Sequence, residues 1–216
     1  MQFFTYFAEN SENILIRLYQ HFYLFFISTV IACIIGIALS IFVTREGKER
    51  IGKVVLNITA MSQAVPSIAV VALVFLVVGI GAVPALIALF VYSLVPIVFN
   101  SVSGLLSVEE KMIDAARGMG LTDRQILWKI KVPVAIPVIF AGIRSAATIN
   151  IGTATVAAII GGGGLGDYIF MGIKLNKDHL ILIGAVLTAL MAIIVDTILS
   201  LVEKKITPTG LQVNRN

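Results

Sequence analysis

Charge is what this chain has least of. Only 13% of its 216 residues are Asp, Glu, Lys or Arg, while 58% are hydrophobic. Soluble domains carry roughly 25% charged residues, so the composition excludes a soluble enzyme or binding module and indicates one integral membrane domain. A single cysteine, Cys33, excludes an intrachain disulfide. It sits in an apolar run and reads as a small packing residue. The two histidines, His21 and His179, fall at the outer ends of apolar runs, with no third ligand nearby in sequence. No metal site is expected from them. The patterns HExxH and GxSxG are absent, which argues against an intramembrane enzyme. So is the Walker A pattern GxxxxGK[ST], so ATP cannot be bound by that route and no cofactor is expected. No secretory signal is apparent: the first positive charge is Arg17, and the apolar run after it is too long.

What is there is hydrocarbon-soluble sequence in long runs. A spanning helix needs about 20 predominantly apolar residues. Five stretches qualify, at about 21–43, 54–78, 83–106, 133–160 and 180–202. These predict an all-α membrane protein with a transmembrane domain over 21–202. Residues 1–20 form an outer-face segment, and 203–216 form a tail. The first segment carries Phe3, Phe4, Phe7, Ile14, Leu15 and Leu18 among polar residues. It reads either as a short interfacial helix or as an unstructured end.

The net charge of +4 is unevenly placed. Basic residues cluster in 44–53 (Arg45, Lys48, Arg50, Lys53), in 107–132 (Lys111, Arg117, Arg124, Lys129, Lys131) and in the tail (Lys204, Lys205, Arg215). In a five-span chain these twelve share one side, against Arg17, Lys174 and Lys177 on the other. Such a bias is topology-setting charge, not a nucleic-acid surface, and it predicts an outside N-terminus and a cytoplasmic C-terminus. Arg144 and Asp196 are the only charges deep in the spans. Counting 1.5 Å per residue puts them roughly 16 Å and 10 Å from the cytoplasmic ends. Buried charges are paired or functional. A structural pair is preferred here over a substrate ligand.

The 107–132 segment is the longest polar interruption. It predicts two short helices meeting near Gly118 and Gly120, with Glu109, Glu110 and Asp114 in the first. Met112, Met119, Leu121 and Trp128 are apolar residues in a polar loop. Met112 through Gly120 read as a docking surface, whereas Trp128 reads as a membrane-interface residue. Residues 161–166, Gly-Gly-Gly-Gly-Leu-Gly, formally contain GxGxxG, but a dinucleotide site requires a βαβ unit that is missing here. The glycines instead predict a tight re-entry of the chain. Ala32, Gly36 and Ser40 form a small-residue ladder, a packing face. Pro66 and Pro96 are expected to break helices in mid-span. Gln63, Ser67, Tyr92, Ser93, Asn100, Thr148, Asn150, Thr153 and Thr155 lie within the second to fourth spans. Each can serve packing alone, or together they can line a polar path.

Residues 114–133 resemble the EAA loop of type I ABC importer permeases: Asp114, Ala115, Ala116, Gly120, Ile130 and Pro133 fall at the required spacing. Asp114 stands for Glu and Val132 for Leu. The resemblance extends over about residues 20–210, through Ser62–Ser67, Tyr92–Ile97, Ala141–Arg144, Ile151–Thr155 and Gly163–Asp167. These segments are similar to the glycine betaine/carnitine/choline permease family, although methionine-importer permeases have a similar glycine loop. The resemblance implies a five-span permease in a prokaryotic plasma membrane, with 107–132 as a cytoplasmic coupling loop. It implies a cytoplasmic ABC ATPase dimer and a second permease subunit, identical or different. An extracellular or periplasmic binding protein would deliver a quaternary amine. Asp114, Ala115, Ala116, Gly120, Met112 and Met119 would then contact the ATPase. A secondary transporter would show internal repeats and more spans.

Overall fold

The computed structural model describes residues 2–207, with side chains from Tyr6 onward. Arg215, counted above with the tail, and the side chains of Phe3 and Phe4 lie outside the described residues. The chain forms helices α1 (Gln2–Glu9), α2 (Ser11–Val43), α3 (Glu49–Ser62), α4 (Ser67–Val78) and α5 (Ala82–Leu106). After these come α6 (Glu110–Gly118), α7 (Asp123–Ile126), a π-helical turn (Leu127–Lys131), α8 (Val132–Ala157), α9 (Gly166–Leu175) and α10 (Asp178–Ile206). There is no strand among the described residues.

Four helical stretches are long and apolar enough to cross a membrane: Ser11–Val43, Ala82–Leu106, Asp123–Ile160 and Asp178–Ile206. The second expected span is broken: α3 and α4 are bent by 97°, so it makes a fifth crossing only if the pair counts as one. The cause is local. Val65 precedes Pro66 and is pushed away from helical geometry, and Pro66 takes φ −61 and ψ 138 ahead of α4. Pro96 behaves differently from expectation, because α5 runs through it unbroken. Proline removes only one hydrogen bond, and a packed neighbourhood can carry that loss. The N-terminal boundary also moves. Helix α2 starts at Ser11, well before the apolar run at His21, and Glu12 in its first turn suits the positive helix end. Helix α10 continues to Ile206, with Lys204 and Lys205 in its last turn, so Glu203 is helical and not part of a loose tail.

The described residues group into two compact units. The first takes its residues from Met1–Ala32, Val65–Ser93 and Ala147–Asp196. Its core joins Leu24, Val71 and Leu89 to Ala85, Ala88, Ala154 and Ala157. Four buried alanines let helices approach closely, the usual means of helix association in a membrane. A second cluster joins Ile14, Tyr168, Leu180 and Ile183. The other unit takes its residues from Cys33–Ala64, Leu94–Ala146 and Thr197–Asn216. Val43, Val98 and Val102 form one of its clusters, and Leu105, Ala135 and Ile139 another. Here α5 and α8 touch at Gly142, where a Cβ would stand 2.6 Å from Asn100 Cβ and 3.0 Å from the Pro96 carbonyl oxygen. Gly36, from the small-residue ladder, likewise leaves no room: a Cβ there would lie 2.9 Å from Ile97 Cγ2.

Candidate functional site

The 107–132 loop is built by two local capping devices. Helix α6 ends in a Schellman motif. The Leu121 N–H donates to the Ala116 carbonyl at 3.1 Å, and the Gly120 N–H donates to the Arg117 carbonyl at 2.9 Å. That pattern places Gly120 at the position where the backbone turns left-handed, and its φ is +81. The spacing of the Asp114-Ala115-Ala116 triplet to Gly120 is therefore the spacing of a helix C-cap. Helix α7 then starts from a capping box: Thr122 Oγ1 accepts from the Gln125 N–H, and Gln125 Oε1 accepts from the Thr122 N–H at 2.9 Å. The motif's end, Ile130 to Pro133, spans the π-helical turn and the start of α8.

The loop residues singled out from sequence divide by exposure. Asp114 and Ala115 are exposed, as is Gly120. Met112 and Met119 are also exposed, at 42% and 70%. Ala116 is fully buried, so it packs α6 onto its own protein and offers no surface to a partner. Trp128 is 53% exposed. Behind α6 lies a groove of about 860 Å³ lined by both apolar and charged side chains, Trp128, Ile113, Arg45, Glu46 and Arg117 among them. Arg117 lines it and makes two ion pairs. It reaches Glu46 Oε1 at 2.6 Å and Asp114 Oδ1 at 3.4 Å. The Glu46 contact had no signal in the sequence, because the partners are 71 residues apart.

In the first unit a polar joint closes the glycine-rich turn onto α2. His21, expected off the core, is completely buried. Its Nδ1 accepts from the Leu165 N–H at 3.3 Å, so Nε2 carries the proton and donates to the Ile151 carbonyl at 3.0 Å. Gln20 Oε1 accepts from the Gly164 N–H at 3.3 Å and from Arg17 at 3.0 Å. Arg17 also pairs with Asp167 at 2.6 Å. The sequence gives no sign of this joint, because its partners come from distant parts of the chain.

The proposed path residues are not equivalent. Gln63 is exposed, and Ser67, Tyr92, Asn100 and Thr155 are partly buried. Asn100 donates to the Pro96 carbonyl at 2.8 Å, and Thr155 to the Gly152 carbonyl at 2.7 Å. Asn150 is fully buried, and its Nδ2 donates to Ser28 Oγ and Thr29 Oγ1, both at 2.8 Å. It fastens α8 to α2. Ser93 and Thr153 are buried too. Arg144 pairs with Glu203 at 3.1 Å, a carboxylate the sequence reading assigned to the tail. Asp196 lies two turns earlier on the same helix. Among the described residues, no group of three or more His, Cys, Asp or Glu side chains is placed to hold a metal ion.

This geometry is a permease's: apolar spanning helices joined by a structured helical loop. The family described as "Binding-protein-dependent transport system inner membrane component" matches residues 11–208. The glycine betaine/carnitine/choline transport system permease protein OpuCB of Bacillus subtilis is 38% identical over 98% of this chain and 96% of its own length. The osmoprotectant import permease protein OsmY of Salmonella typhimurium is 40% identical over 88% of this chain and 80% of its own. Among solved structures, the MetNI methionine ABC transporter in an inward-facing conformation contains a chain with a TM-score of 0.74 and 21% identity. The alignment covers 90% of this chain and 96% of that one, and establishes the shared fold. The chain belongs to the family of binding-protein-dependent transport system inner membrane components. It is a multi-pass membrane permease, and membership implies an ATPase and a substrate-binding protein as partners.

Proposed function

We propose that this permease imports a small quaternary amine, glycine betaine, carnitine, choline or a related compound, for osmotic protection. The observation that carries the reading is 36% to 38% identity, over most of the chain, to permeases named for these compounds, beside 40% to one named for osmoprotectant import. A binding protein delivers the amine at the outer face. Two permease subunits, identical or different, enclose the path. ATP-driven closure of two ATPases acts through α6 and the bend at Gly120, and alternating access follows from partners that bind the two states with different affinity. The exposed face of α6, with Asp114, Ala115, Met112 and Met119, is the docking surface. Ala116 and Gly120 set its shape from behind. The basic bias toward 44–53, 107–132 and the tail supports an outside N-terminus and a cytoplasmic C-terminus. Gln63, Ser67, Tyr92, Asn100 and Thr155 retain accessible surface for the path, whereas Ser93 and Thr153 are buried and Asn150 holds α8 to α2. Arg144 is structural, answered by the Glu203 carboxylate of α10.

Reconstituted with its ATPase, binding protein and second permease subunit, the chain is expected to accumulate labelled glycine betaine, carnitine or choline against a gradient only when ATP is supplied. Uptake of methionine and of none of these amines overturns the substrate reading.

A further inference from the structure

The α2–α3 corner lies behind the coupling loop, and the corner is braced. Thr44 is fully buried, and its hydroxyl donates to the Ser40 carbonyl at 2.7 Å. The Lys48 N–H closes a turn onto the Arg45 carbonyl at 2.9 Å, and Lys48 Nζ stands 3.5 Å from the centre of the Phe42 ring. Gly52 lets α3 leave close to the end of α2, since a Cβ there would lie 3.1 Å from the Val43 carbonyl oxygen. From this corner two carboxylates, Glu46 and Glu49, line the groove beside α6 and α7, and Glu46 is the one that meets α6. It receives Arg117 Nη2 at 2.6 Å. Arg117's other ion pair is with Asp114, one turn back on its own helix, and so ties α6 to nothing else. Asp123, the first residue of α7, lines the same groove. The neighbouring Asp123 carboxyl raises the Glu46 pKa above the ordinary carboxylate value, against the opposing pull of Arg117.

We infer that Glu46 is a positioning residue for the coupling loop: it holds α6 through Arg117, so that the bend at Gly120 moves with the α2–α3 corner. The inference rests on the coupling role proposed above for α6. Both side chains of the Glu46–Arg117 pair are nearly half exposed. Exposed pairs add little to stability, so removing this one leaves the chain folded. What it removes is a rigid link between the loop and the membrane helices, the one described contact by which Arg117 reaches beyond its own helix.

The test uses the full chain in lipid vesicles with its ATPase, second permease subunit and binding protein, and labelled glycine betaine as the transported probe. Glu46→Gln is expected to retain ATPase co-purification and ATP hydrolysis while uptake per ATP falls about ten-fold, the scale of a modest misplacement. Glu46→Asp should restore the ratio. The charge swap of Glu46→Arg with Arg117→Glu should transport better per ATP than either single change. An unchanged ratio in Glu46→Gln, or loss of ATPase binding, overturns the inference. Ala115→Trp reports on the coupling reading separately. If it loses ATPase binding while Glu46→Gln is unaffected, only the role of Glu46 falls. If Ala115→Trp transports normally, the docking assignment of α6 falls, and the role of Glu46 with it.

Discussion

Gly120 has φ +81 and Gly164 has φ +88, so both stand in the left-handed region that side chains disfavour. Their surroundings differ completely. A Cβ on Gly120 would meet nothing within 4 Å, whereas one on Gly164 would stand 3.0 Å from His21 Nδ1 and 3.1 Å from His21 Cα. The bend in the 107–132 loop is thus set by backbone conformation alone and leaves free space around it. The glycine-rich turn is set by conformation and by contact, with α2 pressed against its backbone. One is a bend with room to work; the other is a packed joint.

Alanine scanning of the two glycines tests this contrast most strongly. Gly164→Ala adds overpacking to left-handed strain and should cost about 3 kcal/mol. Gly120→Ala adds the strain alone, about 1 kcal/mol. Thermal unfolding of the solubilised chain should show a far larger drop in midpoint for Gly164→Ala. Equal drops would mean that the space at Gly120 is closed in the working protein. Transport should reverse the order relative to stability: Gly120→Ala loses activity out of proportion to its small loss of midpoint.

His21→Phe sharpens the same comparison from the other side of the joint. It removes the acceptor for the buried Leu165 N–H, and an unanswered buried donor costs about 1–3 kcal/mol. Hydrogen exchange at the Leu165 amide should accelerate, while the Gly120 and Leu121 amides, whose acceptors lie within α6, keep wild-type rates. Unchanged exchange at Leu165 would show that the glycine turn stands without its histidine.

The helix–turn–helix geometry of the 107–132 loop was legible in the sequence because it is local. A Schellman cap and a capping box bond residues three to five apart, so the spacing of Ala116, Gly120, Thr122 and Gln125 already contains the geometry. The joint at His21 and the long-range ion pairs were not legible in the same way. His21 reaches across 130 residues to Ile151, Arg117 across 71 to Glu46, and Arg144 across 59 to Glu203. No period or spacing carries such contacts. His21 looked peripheral because it ends an apolar run, yet α2 begins a full ten residues earlier and places it inside the fold. Ala116 looked like docking surface because it is small. Being small is also what lets a helix pack against its own protein, and burial decides between the two. Pro66 and Pro96 were alike on paper, and only Pro66 follows a segment where the helix has already ended at Ser62.

The smallest expected effect lies in the ion pair beside the His21 joint. Arg17 and Asp167 meet at 2.6 Å, with side chains 40% and 29% exposed. Asp167 lies on α9, outside the long spanning helices. Its pKa is raised from the ordinary value of 3.8, chiefly by burial, with Arg17 pulling the other way. A carboxyl whose folded pKa is raised contributes stability that is complete below its unfolded pKa and is lost as pH rises through the folded one. At neutral pH the ionised Asp167 is therefore held at a net cost, and the ion pair, screened by solvent, offsets that cost only in part. Asparagine keeps the shape and carries no charge at any pH. Asp167→Asn should stay within about 1 kcal/mol of wild type at neutral pH. The comparison should turn progressively in the variant's favour as pH is raised from about 4 through the titration of Asp167. The measurement is the thermal midpoint of both proteins across that range. A large loss at neutral pH would mean that charge, and not close packing of glycine backbone against α2, fastens the joint, and the contrast with the open bend at Gly120 would have to be rebuilt on electrostatics.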